Sequence, residues 1–396
     1  MKTRWHANWR GMAAGLWLAL CAATPLAAQE LRILTSYDAE VVQPVLKGFQ
    51  ARHPDIKLRV LNKNTNAAVD EILAGNDRSF DLLWASAPEA FEVLRSAGKL
   101  RDDGPEPWAA FAWSGLGWAW RGPFEGEVPR SWNDLLDPAF AGRIGMSHPM
   151  RSGTMHSLIE TILQDRGWEA GWAFVLELTG QLNTISARSF GVLEGVERGD
   201  FALGLTIDFL ALTREGRGVS FRYGQPLFLI PARVARLKGG VGEDEAAAFI
   251  DYLLSPEGQR NLLRPEVRRI PVDPALRAEL LDRAPGELAA ALRFSWSRYD
   301  PALAARRYWA VKQIFETFAA RDFLRRRELW RRLRALEGIA EPERQRVHRL
   351  LSWMPITEHQ ARVAPQDRET LLAWAERSHG LLSLAEAHLQ MLEGGR

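Results

Sequence analysis

Residues 147–160, SHPMRSGTMHSLIE, set Arg151, Ser152, Gly153 and Thr154 directly before an apolar helical pattern carried by Leu158, Ile159 and Ile162. A helix start exposes backbone N–H groups that lack partners and carries partial positive charge. Such an end is capped by nearby hydroxyls or holds an anion. Phosphate or carboxylate would suit this one. Ser152 and Thr154 can donate from their hydroxyls, Gly153 lets the main chain approach closely, and Arg151 or Arg188 can offer a bidentate pair.

Four other segments share that chemistry: TSYDAE (35–40), NKNTNA (62–67), ASAPEA (85–90) and TISARSFG (184–191). Each supplies hydroxyls or amides where a strand gives way to a helix. One such segment is an ordinary cap. Five of them, in two α/β units, predict a cleft between lobes that grips an anion. Ser36 and Ser86 would close it from the first lobe, with Asn64 beside them. Tyr37 and Tyr223 could wall it, or either could be half-buried packing. Asp208 would accept from a ligand hydroxyl or amine, or serve as a cap or hinge hydrogen bond. Lys63 reads as a solvated surface lysine.

Other chemistries have less behind them. Ser152 and His156 are one helical turn apart, so a nucleophile–base pair is conceivable. No GxSxG elbow surrounds Ser152, so no catalytic residue is assigned, and an exported Ser-dependent hydrolase stays as an alternative. The eight histidines are scattered without HExxH or Cys/His spacing, and no P-loop or GxGxxG precedes a helix. Neither a metal nor a cofactor is expected.

The elements that must carry these loops are legible from periodicity. LRILTSY, IKLRVL and FDLLWAS read as strands, and AEVVQPVLKGFQARHPD, NAAVDEILAG and PEAFEVLRSAGKL as helices between and after them. That alternation predicts an α/β domain with a largely parallel sheet. GLGWAWR (115–121) could cross out of it. A second unit follows, with strands RIGMS, QLNTIS and FALGLT and helices GTMHSLIETILQD, GWEAGWAFVLELTG and SFGVLEGVER. QPLFLIPARVARLKG reads as a returning strand. In DEAAAFIDYLLSPEGQRNLL the helix should break at Ser255-Pro256, Ser255 capping the next one. Beyond about residue 275 no strand signal appears. Tyr308, Val311, Phe315 and Phe318 form a helical stripe, and RDFLRRRELWRRLRALEG is dense in arginine. That helix reads as a solvated face beside packed Phe323, Leu324, Trp330 and Leu333, or as a docking surface for a membrane partner or anionic lipid.

Composition is that of an ordinary globular chain, 46% apolar and 25% charged over 396 residues, which accommodates two or more domains. Residues 1–28 combine Lys2, Arg4 and Arg10 with a short apolar run and small residues, the pattern of a secretory signal. They also hold Cys21, the only cysteine. Without them 48 basic residues face 49 acidic ones, so charge does not point to nucleic acid. A soluble periplasmic protein is expected, and a monomer.

The stretches LRILTSYDAEVVQPVLKGFQARHPDIKLRVL, FDLLWASAPEAFEVLRSAGKL, SWNDLLDPAFAGRIGMSHPMRSGT and AAAFIDYLLSPEGQRNLL resemble the periplasmic solute-binding proteins of ABC importers, in the branch of ferric-ion, phosphonate and sugar-phosphate receptors. The resemblance covers about residues 31–275. It implies a two-lobed α/β fold of type II: 29–118 with 226–275 as one lobe, 119–225 as the other, and 276–396 as a C-terminal helical extension. It also implies hinge closure on one small solute through strands near 117–121 and 226–232, and a membrane partner, an ABC permease or a sensor kinase. Length and extension resemble phosphoglycerate transport regulatory proteins, which favours a phosphorylated C3 compound or other phosphate ester and tilts the partner toward a kinase. A ferric-ion receptor, the alternative, normally offers two adjacent tyrosines. The five tyrosines here include no neighbours, and Tyr223 stands alone in FRYGQP.

Overall fold

The structure is a computed structural model that describes residues 29–394 apart from 103, 105, 282–287 and 290–298. The expected signal segment and Cys21 lie outside the described residues.

Three strands, β1 (Glu30–Thr35), β2 (Lys57–Asn62) and β3 (Leu82–Ala85), run parallel, with α1 (Ala39–Arg52) and α2 (Thr65–Ala74) between them and α3 (Pro88–Ser96) after them. They form one half of a sheet ordered β2-β1-β3-β9-β4-β7-β5-β6. The other half carries β5 (Ile144–Ser147), β6 (Leu182–Ser186) and β7 (Leu203–Ile207), also mutually parallel, with α4 (Gly153–Arg166), α5 (Trp168–Thr179) and α6 (Ser189–Arg198). Each of these helices except α5, which follows α4, starts where a strand ends, so helix N-termini collect at the carboxyl edges of both halves.

One strand joins them. β4 (Ala109–Arg121) pairs through Gly115 with β9 (Leu229–Arg236), and from Leu116 onward with β7 and with β8 (Val219–Tyr223). The switch falls at Gly115–Leu116, slightly before the expected 117–121, and β8 and the two-residue β10 (Ile270–Pro271) were not anticipated. The chain returns between Tyr223 and Leu229. After β9 come α8 (Glu243–Leu254), α9 (Pro256–Asn261), capped by Ser255 as expected, and α10 (Pro274–Leu281).

The fold is therefore two-lobed α/β with a C-terminal helical extension. Among the described residues the extension consists of α11 (Pro301–Arg306), α12 (Tyr308–Phe315), a π-helical turn (Glu316–Ala320), α13 (Phe323–Ala335), α14 (Glu341–Ser352), α15 (Glu358–Val363) and α16 (Arg368–Gly394). The stripe Tyr308, Val311, Phe315 and Phe318 is buried and continuous with the apolar core of the lobes. On α13, Trp330 and Leu333 are buried, but Leu324 is 66% exposed, which corrects its expected place in the packed stripe. The helix period turns Leu324 away from the face that Trp330 and Leu333 share. All six α13 arginines have partners. Arg325, Arg331 and Arg332 pair with Glu386, Glu328 and Glu393, while Arg326, Arg327 and Arg334 donate to the carbonyls of Leu351, Asn183 and Gly180.

Asp208, at the start of the short helix α7 (Asp208–Leu212), marks the crossover. Fully buried, it accepts from the N–H groups of Gly115 and Phe209, each at 2.7 Å, and from the Tyr223 hydroxyl at 3.3 Å. Burial pushes its carboxyl up to about 7, against the pull of those donors and of Arg269. Its folded value thus lies above the unfolded one, so the native state holds the extra proton between about pH 4 and 7. The stability this group contributes is complete below that window and is lost as pH rises through about 7. Urea denaturation from pH 5 to 8 should show wild type losing stability relative to Asp208→Asn with rising pH, by roughly 2–3 kcal/mol, since about two of the three pH units of the window are crossed.

Candidate ligand-binding cleft

The five expected loops meet. Asp38, Asn64, Ala87, Ser152 and Arg188 are the N-cap residues of α1, α2, α3, α4 and α6, and all five line one inner cavity of about 50 Å³ between the lobes. Its wall also includes Ser36, Tyr37, Thr65 and Ser86 from one side and Arg151, Gly153, Thr154, Ser189, Phe190, Phe209 and Leu210 from the other. The cavity communicates through Asp38, Phe190 and Leu210 with a wider vestibule of about 680 Å³ that adds Lys47, Arg214, Arg217 and Arg264, together with Glu40 and Glu266.

The caps differ in what they leave free. Asn64 accepts from the Ala67 N–H at 3.0 Å and Ser152 from the Met155 N–H at 3.1 Å. Ala87 and Arg188 make no side-chain cap bond. Positive helix ends therefore face one another across a narrow gap, only partly neutralised from within. Arg188 spans the seam: Nη1 donates to Asn62 Oδ1 at 2.9 Å, and the guanidinium lies 4.4 Å from the Phe190 ring centre. Half-burial draws its pKa down, with Asp38 opposing. Arg151 is exposed at the rim. A Cβ on Gly153 would stand 2.5 Å from Thr65 Oγ1 and 2.7 Å from Ala87 Cβ, so this glycine permits the lobes to touch.

On the inner wall the Ser86 hydroxyl donates to Tyr37 Oη at 2.9 Å. Behind both lies Arg269, 3% exposed, its guanidinium carbon 4.3 Å from the Tyr37 ring centre and 3.7 Å from that of Phe209. It reaches the hydroxyls of Ser114 and Ser86 at 3.4 and 3.5 Å. Burial lowers its pKa, while Tyr37 and Asp208 hold it up. A buried cation whose nearby carboxylate is itself reluctant to ionise leaves positive potential at the cleft floor.

Of the eleven expected binding residues, Ser36, Tyr37, Asn64, Ser86, Arg151, Ser152, Gly153, Thr154 and Arg188 share this cavity. Asp208 and Tyr223 do not. Asp208 is consumed by the crossover bonds, and Tyr223 lines a separate cavity near Ile270 and Leu280. Lys63 pairs with Glu71. Ser152 and His156 form no nucleophile–base pair. Ser152 Oγ lies 2.6 Å from Ser189 Oγ, whereas His156 Nδ1 lies 2.9 Å from Glu89. Sequence reasoning passed over Thr65 and Ser189, which adjoin residues it chose. Arg269, in EVRRIPV, gave no signal because only the return of the chain after α9 brings it under the cleft. No group of three or more potential metal ligands occurs among the described residues, and no helix among them is long and apolar enough to cross a membrane.

Comparison with known proteins agrees with this architecture. Phosphoglycerate transport regulatory protein PgtC of Salmonella typhimurium is 29% identical over 366 residues, 87% of this chain and 89% of its own. The periplasmic binding protein AfuA from Actinobacillus pleuropneumoniae, solved with fructose-6-phosphate bound, superposes with a TM-score of 0.56 at 20% identity, covering 61% of this chain and 84% of its own. Apo ferric ion-binding protein A of Pasteurella haemolytica gives 0.58 at 15% identity, covering 73% and 97%. Both structures share the two-lobed fold. The model of a bacterial extracellular solute-binding protein matches residues 98–296. That match takes in half of the sequence, from the crossing strand through the second sheet half and back, and the chain belongs to this family of solute-binding proteins.

Proposed function

We propose that the protein captures a small phosphorylated solute, of the size of a phosphorylated three-carbon acid, and presents it to a membrane partner. The carrying observation is the convergence of five helix starts, with Arg151 and Arg188, on one inner cavity. About 50 Å³ has room for roughly four waters, or for an oxyanion head, but not for a whole sugar phosphate. The head would sit there, and the organic part would extend into the vestibule beside Lys47 and Arg214. Support comes from the regulatory relative named for phosphoglycerate transport and from the neighbour solved with a sugar phosphate. Lobe closure about β4 would change the outer surface, and differential affinity of a partner for the closed form would carry the message. The shared extension favours a sensor kinase over a permease.

Titration calorimetry with 3-phosphoglycerate, phosphoenolpyruvate and fructose 6-phosphate should show binding that glycerate and fructose lack. Arg188→Ala should weaken it by about tenfold to a hundredfold, the worth of a charge-assisted hydrogen bond of roughly 1.5–3 kcal/mol. No binding of any phosphorylated compound, or equal binding of the unphosphorylated ones, would sink the reading. Arg269→Lys keeps a charge but not the guanidinium that contacts both the Tyr37 and Phe209 rings. It should cost about tenfold in affinity for the same solute, checked by calorimetry alongside a denaturation curve.

A further inference from the structure

Behind the inner cavity, about one turn deeper along helices that line it, runs a second set of contacts that no solute touches. Glu89 of α3 is fully buried, and three residues from two other parts of the chain converge on its carboxylate. His156 Nδ1 lies 2.9 Å away and the Ser157 hydroxyl donates at 2.9 and 3.2 Å, both from α4, while the Tyr299 hydroxyl donates at 2.7 Å from the extension. Asn66 of α2 repeats the pattern. Its amide donates to the Pro149 carbonyl of the other lobe at 3.1 Å, and its oxygen accepts from Tyr308 and, at 3.3 Å, from Lys312. Both clusters sit on the seam that Gly153, Thr65 and Ala87 close from the cavity side.

The extension is fixed to the second lobe. Arg307 donates to Glu160 at 3.0 and 2.7 Å, the Trp168 indole to the Ile356 carbonyl at 2.7 Å, and His348 pairs with Glu177 at 3.1 Å. From that anchorage, residues 299–312 reach over the seam to Glu89 and Asn66 of the first lobe. Separating the lobes would therefore take His156, Ser157 and Tyr299 from Glu89 together, and the carboxylate would stay covered but unpaired unless the strap also lets go and admits water, an unpaired buried charge being strongly disfavoured.

We propose that residues 299–312 form an interlobe strap that must release before the cleft can open, so that solute exchange and strap docking are one event. A partner reading the extension would then read occupancy. Only the solute arm of the test rests on the receptor function proposed above. Nitroxide labels at Lys47→Cys and Arg217→Cys, on opposite lobes at the vestibule, in a Cys21→Ser chain, report cleft width by electron–electron resonance. Hydrogen exchange of residues 299–312 reports the strap. Tyr299→Phe with Tyr308→Phe removes only two hydroxyls, and Gly153→Ala wedges the seam from the cavity side without touching the strap. Each should widen the label distance and raise strap exchange at least fivefold, together. With 3-phosphoglycerate as the solute, the tyrosine pair in the unlabelled chain should also release it at least fivefold faster than unlabelled wild type. A cleft that widens while strap exchange stays at the wild-type rate overturns the proposal, as does a freely exchanging strap on an unchanged cleft. Failure of 3-phosphoglycerate to bind counts against the solute assignment alone, because width and exchange are read without it.

Discussion

Helix ends of like sign do not approach one another without something between them. Here five N-termini face a cavity with room for only a few waters, with Arg151 and Arg188 at its wall and Arg269 beneath it. Among the lining residues Asp38 is the only carboxylate. The strand order places those helix ends at the sheet's carboxyl edges, and the absence of a side chain at Gly153 lets them come within contact distance. An anion offsets that concentration of positive potential most directly.

How much of this was legible depends on whether the signal was local. The β/α alternation, the Asn64 and Ser152 caps and the break at Ser255-Pro256 follow from neighbours in sequence, and all are present. For Asp208 the sequence offered a ligand contact or a cap or hinge hydrogen bond, and for Tyr223 a cleft wall or packing, without deciding between them; the structure has the second of each. What turns Asp208 inward is the N–H of Gly115, 93 positions earlier, which no window along the chain contains. Arg269 and Glu89 are of the same kind. Their surroundings are assembled from distant segments, and a buried charge in sequence looks like any surface charge. The arginine-dense helix posed the opposite difficulty. Read alone it offers a free basic face, yet its charge is met by glutamates 61 residues on and by carbonyls of the second lobe.

The solved receptors that share the fold match 61% to 73% of this chain, whereas the regulatory relative aligns over 87% of it. A two-lobed receptor opens by separating two bodies. In this chain a third body is built into the back of the gap through tyrosine hydroxyls, an asparagine amide and a shared carboxylate. All five tyrosines are buried, and two of them serve that junction. Polar contacts of this kind add less to stability than apolar ones of the same size, but they are strict about geometry.

The crossing strand sets a different limit. β4 runs unbroken from one sheet half into the other, and an added Cβ at Gly117 would meet the Arg222 carbonyl oxygen at 2.0 Å. Rotation of the lobes is then not the swing of a loose joint. It would be torsion distributed along a hydrogen-bonded ribbon, resisted as long as the rungs hold. Such a coupling acts as a spring, and the contacts at the back of the gap decide how far it is held from its own resting angle.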